Sequence, residues 1–110
     1  MLDIDHRIER LADAIIKCES DNRNYVWGDC DKDMPSPHYC KTFACAKKYH
    51  CKARGVAQYH KKTFYYHARL AEMPDAKWSS AENQKVLLKW CLTIGDCGHD
   101  WTCYRKLVEN

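Results

Sequence analysis

Ile4, Ile8, Leu11, Ala12, Ile15 and Ile16 recur at steps of three and four, with charged residues between them. That spacing gathers them on one stripe of an α-helix and predicts a helix over 3–18. Asp3 or Asp5 is its expected N-cap, and Asp21-Asn22-Arg23-Asn24 its stop. Periodicity then disappears from 22 to 57, where Pro35 and Pro37 bracket Ser36. A short helix at 42–49 and a short turn-linked strand pair are the only regular elements expected there. Helical spacing returns at Phe64, His67, Ala68 and Ala71, predicting a helix over 64–72 opened by Thr63 and ended by Pro74 and Asp75. Ser79-Ser80-Ala81-Glu82 has the form of a capping box. Behind it, Val86, Leu87, Trp90, Cys91 and Ile94 make an apolar stripe stopped by Gly95. Asp100 is positioned to cap a last short helix carrying Trp101, Tyr104, Leu107 and Val108. The expected architecture is mainly α, a single domain over 1–110 with an irregular excursion at 22–54. There is no internal repeat and no low-complexity tract.

Composition sharpens this picture. Hydrophobic residues make up 45% of 110 residues, enough for one modest core and too many for a disordered chain. No apolar run is long enough to span a bilayer. Met1-Leu2-Asp3-Ile4-Asp5 is acidic and amphipathic, unlike a signal peptide. Eight cysteines, Cys18, Cys30, Cys40, Cys45, Cys51, Cys91, Cys97 and Cys103, are an even and heavy load for this length. They point to disulfides and an extracytoplasmic destination. Cross-links also explain how so long an irregular segment is tolerated, each stabilising by about 2–4 kcal/mol. Zinc is the rival reading for Cys30, Cys40, Cys45 and Cys51 with His38 and His50. The spacing C-x9-C-x4-C-x5-C lacks the paired form of zinc ribbons, so no metal is expected.

The formal charge is +3, but seven Lys and Arg fall between 41 and 62 without one Asp or Glu. Such a face is either simply solvated or meets a polyanion. Nucleic acid is not the expected partner, because no groove-reading motif accompanies the charge.

The candidate chemistry sits at the end of the first predicted helix. Counting back from Glu19 by helical steps gives Ile16, Ile15, Ala12 and Leu11. A carboxyl bordering that apolar face loses hydration, which raises its pKa and suits it to general acid work near neutrality. The alternative is a frayed helix end pointing into water. His60, His67 and His99 have no Ser or Cys partner at a spacing that suggests nucleophilic catalysis.

Three segments then fall in a familiar order: Ile15-Ile16-Lys17-Cys18-Glu19-Ser20, Gly55-Val56-Ala57-Gln58-Tyr59 and Lys62-Thr63-Phe64. Together with 78–84 and 99–104, this order resembles the lysozyme-like lytic transglycosylases and their phage-type relatives. The likeness covers most of the chain outside 22–54, and Val56-Ala57 stands where those proteins carry Leu-Met or Leu-Phe. The resemblance implies a small lysozyme-like helical domain that cleaves the β-1,4 bond between N-acetylmuramic acid and N-acetylglucosamine. Glu19 is then the acid, with Ser20, Gln58, Tyr59 and Tyr104 as substrate-binding candidates. Asp29 or Asp31 is the candidate second carboxylate; both are equally explained as solvated loop charges. With a second carboxylate the outcome is hydrolysis, and without one the substrate's acetamido group assists and leaves a 1,6-anhydro end. A Cys18–Cys103 bridge would clamp the chain ends and set the rotation of the helix bearing Glu19, while Cys91 and Cys97 pair locally. The other four cysteines allow three pairings. No cofactor is needed, the expected partner is the peptidoglycan glycan strand, and the chain is expected to be monomeric and secreted, periplasmic or virion-associated. The alternative function is a non-enzymatic, secreted, disulfide-rich binding protein such as a toxin, effector or inhibitor.

Overall fold

A computed structural model describes residues 2–109 of the chain, with side chains from 6 to 108. The first helix, α1, spans Leu2–Ser20 and buries Ala12, Ile15 and Ile16, the face its spacing predicts. Ile4 and the proposed caps Asp3 and Asp5 lie outside the described side chains. The helix stops where Asp21 and Asn22 take φ of 54° and 59°. Among residues with a Cβ, Asp and Asn tolerate that left-handed conformation best.

Three two-residue strands follow, β1 (Trp27–Gly28) and β2 (Ala53–Arg54) within the excursion and β3 (Tyr59–His60) after it. They form an antiparallel sheet in the order β1-β2-β3, with Trp27 opposite Arg54 and Arg54 opposite Tyr59. The expected turn-linked pair is β2–β3, although β3 falls beyond the excursion. Between β1 and β2 lies α2 (Phe43–Lys48), whose N-cap Thr42 accepts a bond from the Cys45 N–H. Next come α3 (Lys61–Leu70) and α4 (Ala81–Leu92). A 3-10 turn (Gly98–Asp100), α5 (Thr102–Tyr104) and a π turn (Arg105–Glu109) complete the chain. The fold is mainly α.

Several boundaries depart from the apolar pattern. Helix α3 begins at Lys61, and Thr63 sits inside its first turn rather than capping it. Strand β3 runs straight into the helix, so His60 serves as a backbone cap without a side-chain bond. The same helix ends at Leu70, well before Pro74, because Glu72 turns left-handed (φ 58°) and the Met73 N–H returns to the Ala68 carbonyl. In α4 the cap is Ser80, which accepts from the Asn83 N–H, and Glu82 closes no capping box. Asn83 instead uses its Oδ1 to accept from the Lys77 N–H. The buried face of α4 is Gln84, Leu87, Leu88 and Cys91, while Val86 is exposed and Ile94, beyond the helix end, is 85% exposed. The stripe is rotated because a polar residue, Gln84, takes an inward position. Asp100 ends the 3-10 turn and does not cap α5, and Leu107 and Val108 remain exposed.

The main core packs α1, α3 and α4 around Ile15, Phe64, Leu87 and Leu88, all fully buried. Each such side chain contributes about 1.5–3 kcal/mol through removal from water. A smaller cluster of Met34, Cys40 and Ala46 sits under α2. Four disulfides use all eight cysteines: Cys18–Cys103, Cys91–Cys97, Cys30–Cys51 and Cys40–Cys45. The first two match the expected pairs, and the last two staple the excursion onto itself. Four such bridges belong to an oxidising, extracytoplasmic setting. No helix among the described residues is long and apolar enough to cross a membrane.

Candidate functional site

Glu19 occupies the last turn of α1, one residue after Cys18. The Cys18–Cys103 bridge brings α5 against that turn, and the Cys103 backbone N–H donates to Glu19 Oε2 at 3.3 Å. The carboxyl is partly buried, and loss of hydration pushes its pKa up. The Cys103 N–H and the positive charges of Lys106 and Arg105 pull the other way without cancelling that effect. Glu19 faces a cleft of about 770 Å³ that Gln58, Asp29, His67 and Trp101 also line.

The turn at 55–58 forms part of that wall and is fastened from several sides. Ser20 Oγ donates to the Val56 carbonyl at 2.7 Å, and Trp101 Nε1 to the Ala57 carbonyl at 2.7 Å. Gln84 Oε1 accepts the Ala57 N–H at 2.9 Å, while its Nε2 donates to the Arg54 and Trp78 carbonyls, each at 2.8 Å. Gly55 is required here: its φ is +92°, and a Cβ would stand 2.4 Å from Gln84 Nε2. Gln58 folds its amide back, Nε2 donating at 2.9 Å to both the Val26 and Gly55 carbonyls. Gln58 lines the cleft as expected, but its amide nitrogen is used to hold the turn.

The other candidate residues separate clearly. Ser20 is 3% exposed and bonded to backbone, so it anchors the turn and cannot reach a substrate. Tyr104 is not on the cleft wall; its ring packs beside Gly98. Tyr59 lines the cleft with its ring buried against Phe64 and Trp101. Asp29 lines the cleft, with Oδ2 2.8 Å from His60 Nε2. Asp31 does not, and instead pairs with His50 at 2.8 Å. Asp29 is therefore the second carboxylate candidate that the cleft contains.

Gln84, His67 and Asp100 belong to the site or its support, although the sequence pattern marks His67 only as part of an apolar helix face and Asp100 only as a cap. The partners of Gln84 lie 27, 30 and 6 residues away, so no neighbouring motif reveals it. Trp101 belongs to both the core and the cleft wall. Among the described residues two groups have metal-ligand proximity, Cys30 with Cys40 and Cys51, and His67 with Cys91 and Cys97. Their sulfurs are all in disulfides, which lack the thiolate charge that binds zinc.

No protein-family model matches the chain, and neither a curated protein nor a solved structure does.

Proposed function

We propose that the chain cleaves the β-1,4 bond between N-acetylmuramic acid and N-acetylglucosamine in peptidoglycan, with Glu19 as general acid. One observation carries this reading: a carboxyl deprived of water, held by a backbone N–H, faces an open cleft. Loss of hydration favours the protonated form, which suits such a group to donate to a leaving oxygen. The lysozyme-like order of its motifs, from Glu19-Ser20 through Gly55–Gln58 to the helix after it, supports the same substrate. Asp29 lines the same cleft, which supports it as the group that would activate water in a hydrolase. If the substrate's acetamido group acts instead, the product carries a 1,6-anhydro end, and its mass is lower by one water. The reaction needs no cofactor. A monomer released to the cell exterior, the periplasm or a virion would meet its polymer there.

Glu19→Gln removes the proton and keeps the shape. Wall lysis, followed as turbidity, should fall by roughly 10²–10⁴-fold. Undiminished clearance by a folded Gln variant would overturn the proposal. A second reading, a non-enzymatic binding protein, draws on Phe43, which is 66% exposed beside Trp27. Such a protein would show no wall lysis in the parent either.

A further inference from the structure

His67 reaches the cleft wall from α3, yet it is only 5% exposed. Its Nδ1 lies 2.9 Å from Tyr59 Oη and 3.3 Å from Cys91 Sγ. That sulfur is bridged to Cys97, so it has no proton to give. Two tautomers compete. In one, the phenol O–H donates to Nδ1. In the other, Nδ1–H donates to the phenol oxygen, and the phenol proton is left to Cys91 Sγ at 3.7 Å. A disulfide sulfur is a weak acceptor and an imidazole nitrogen a strong one, so the first arrangement wins. It leaves the ring proton on Nε2.

The charge state agrees. Burial pushes the Tyr59 hydroxyl up, which keeps its proton in place. Burial pushes the His67 imidazole down, against an opposing pull from Asp100, which favours the neutral ring. The Nε2 edge has no protein partner among the described residues. Nor is it one of the buried unpaired polar atoms among the described residues, Asn24 Oδ1 and Arg54 Nε. With Nδ1 turned inward, Nε2 is the polar edge open to the cleft.

Trp101 shares that wall, and both its ring and that of His67 pack edge-on to Tyr59, at 5.0 Å and 5.6 Å. A neutral N–H donor in a cleft that an indole also lines matches one chemical group well: an acetamide, with a carbonyl to accept and a methyl to bury. We propose that His67 Nε2–H reads the acetamido oxygen of an N-acetylated amino sugar in this cleft, with Trp101 seating the methyl. The proposal rests on the cleft being a glycan site, and not on Glu19 being the acid. Local charge works in the opposite direction. Asp29 and Asp100 line the cleft and, against the single cation Arg105, would favour the ammonium of a deacetylated sugar. A preference for the acetylated sugar would therefore need a specific hydrogen bond.

The Glu19→Gln protein allows binding to be measured without turnover. It would be titrated with the tetramer of N-acetylglucosamine and with the tetramer of glucosamine. The acetylated tetramer should bind about tenfold tighter, the scale of one net hydrogen bond. Adding His67→Phe should abolish or reverse that preference. Adding Tyr59→Phe, which keeps the ring packing and removes only the hydroxyl, should weaken it. Long-range proton–nitrogen correlation on the histidine ring should show Nε2–H at neutral pH. Equal binding of the two tetramers, an unchanged preference after His67→Phe, or an Nδ1–H tautomer overturns the role of His67. If His67→Phe does not fold, the Tyr59→Phe titration and the tautomer decide. Binding of neither tetramer overturns the glycan reading itself.

Discussion

Glu19 weakens the fold that positions it. Desolvation raises its pKa above the ordinary carboxylate value, despite the Cys103 N–H and the charges of Lys106 and Arg105. Between the unfolded and folded pKa values, the native state therefore holds more protons than the unfolded chain. Stability must fall as pH rises through that window, and stay reduced above it. If Glu19 is the proposed general acid, wall lysis should fall over the same range, because such an acid works only while protonated. Glu19→Gln removes the titration and keeps an acceptor for the Cys103 N–H. Its melting temperature should exceed that of the parent at neutral pH, and the two should converge below the ordinary carboxylate range. Melting curves across pH check this; a difference that does not change with pH would mean that Glu19 is not desolvated. At this scale the sequence was readable where a residue's neighbours define its setting. Ile15 and Ile16 make the surroundings of Glu19 predictable from helix geometry alone. Gln84 was opaque, since it is fully buried yet satisfied only by backbone groups that folding brings to it.

Elements were legible in proportion to how far local rules control them. Helix α1 follows its apolar stripe, and α2 follows its Thr42 cap. Helix α3 has no side-chain cap, and its start is set by strand β3, itself only two residues long. Strands that short carry no alternation to read. Their register is held instead by the stapled excursion and by Gln58, whose amide ties Val26 to Gly55. Cross-links divide the work between elements in a way that can be ranked. Cys18–Cys103 closes 85 residues and joins α1 to α5, whereas Cys40–Cys45 closes 5. Chain-entropy reasoning assigns about 4–5 kcal/mol to the first and about 2 kcal/mol to the second. Replacing both cysteines of each pair by Ala, with stability measured by urea titration, should reproduce that order. Only the Cys18/Cys103 variant should also lose wall lysis out of proportion to stability, because Glu19 loses the alignment of its Cys103 N–H. Equal lysis by both variants when fully folded would show that the bridge does not position the acid.

On the whole molecule the charges are sorted rather than mixed. On the α1–α4 face, Lys85 lies 2.9 Å from Glu9 and 2.8 Å from Asp13, and Lys89 lies 2.5 Å from Glu9. Those lysines are internally balanced, and together they hold the Glu9 carboxyl down at about 2. No Lys or Arg between 41 and 62 takes part in an ion pair among the described residues. Lys41, Lys47, Lys48, Lys52, Lys61 and Lys62 are exposed on α2, its approaches, the segment before β2 and the start of α3. A net charge of only +3 thus conceals six exposed lysines, which under the proposed function would help the protein settle on an anionic wall. Attraction of this kind depends on ions in the medium, since screening shortens from about 10 Å at 0.1 M salt to about 3 Å at 1 M. Co-sedimentation with insoluble peptidoglycan should therefore weaken steeply as salt rises. Lys47→Glu with Lys52→Glu should lower binding at low salt and flatten that dependence. Neither residue lines the cleft, so turnover of a short soluble glycan should be unchanged. A salt profile identical to the parent's would mean that this face is merely solvated, and that the cleft alone holds the polymer.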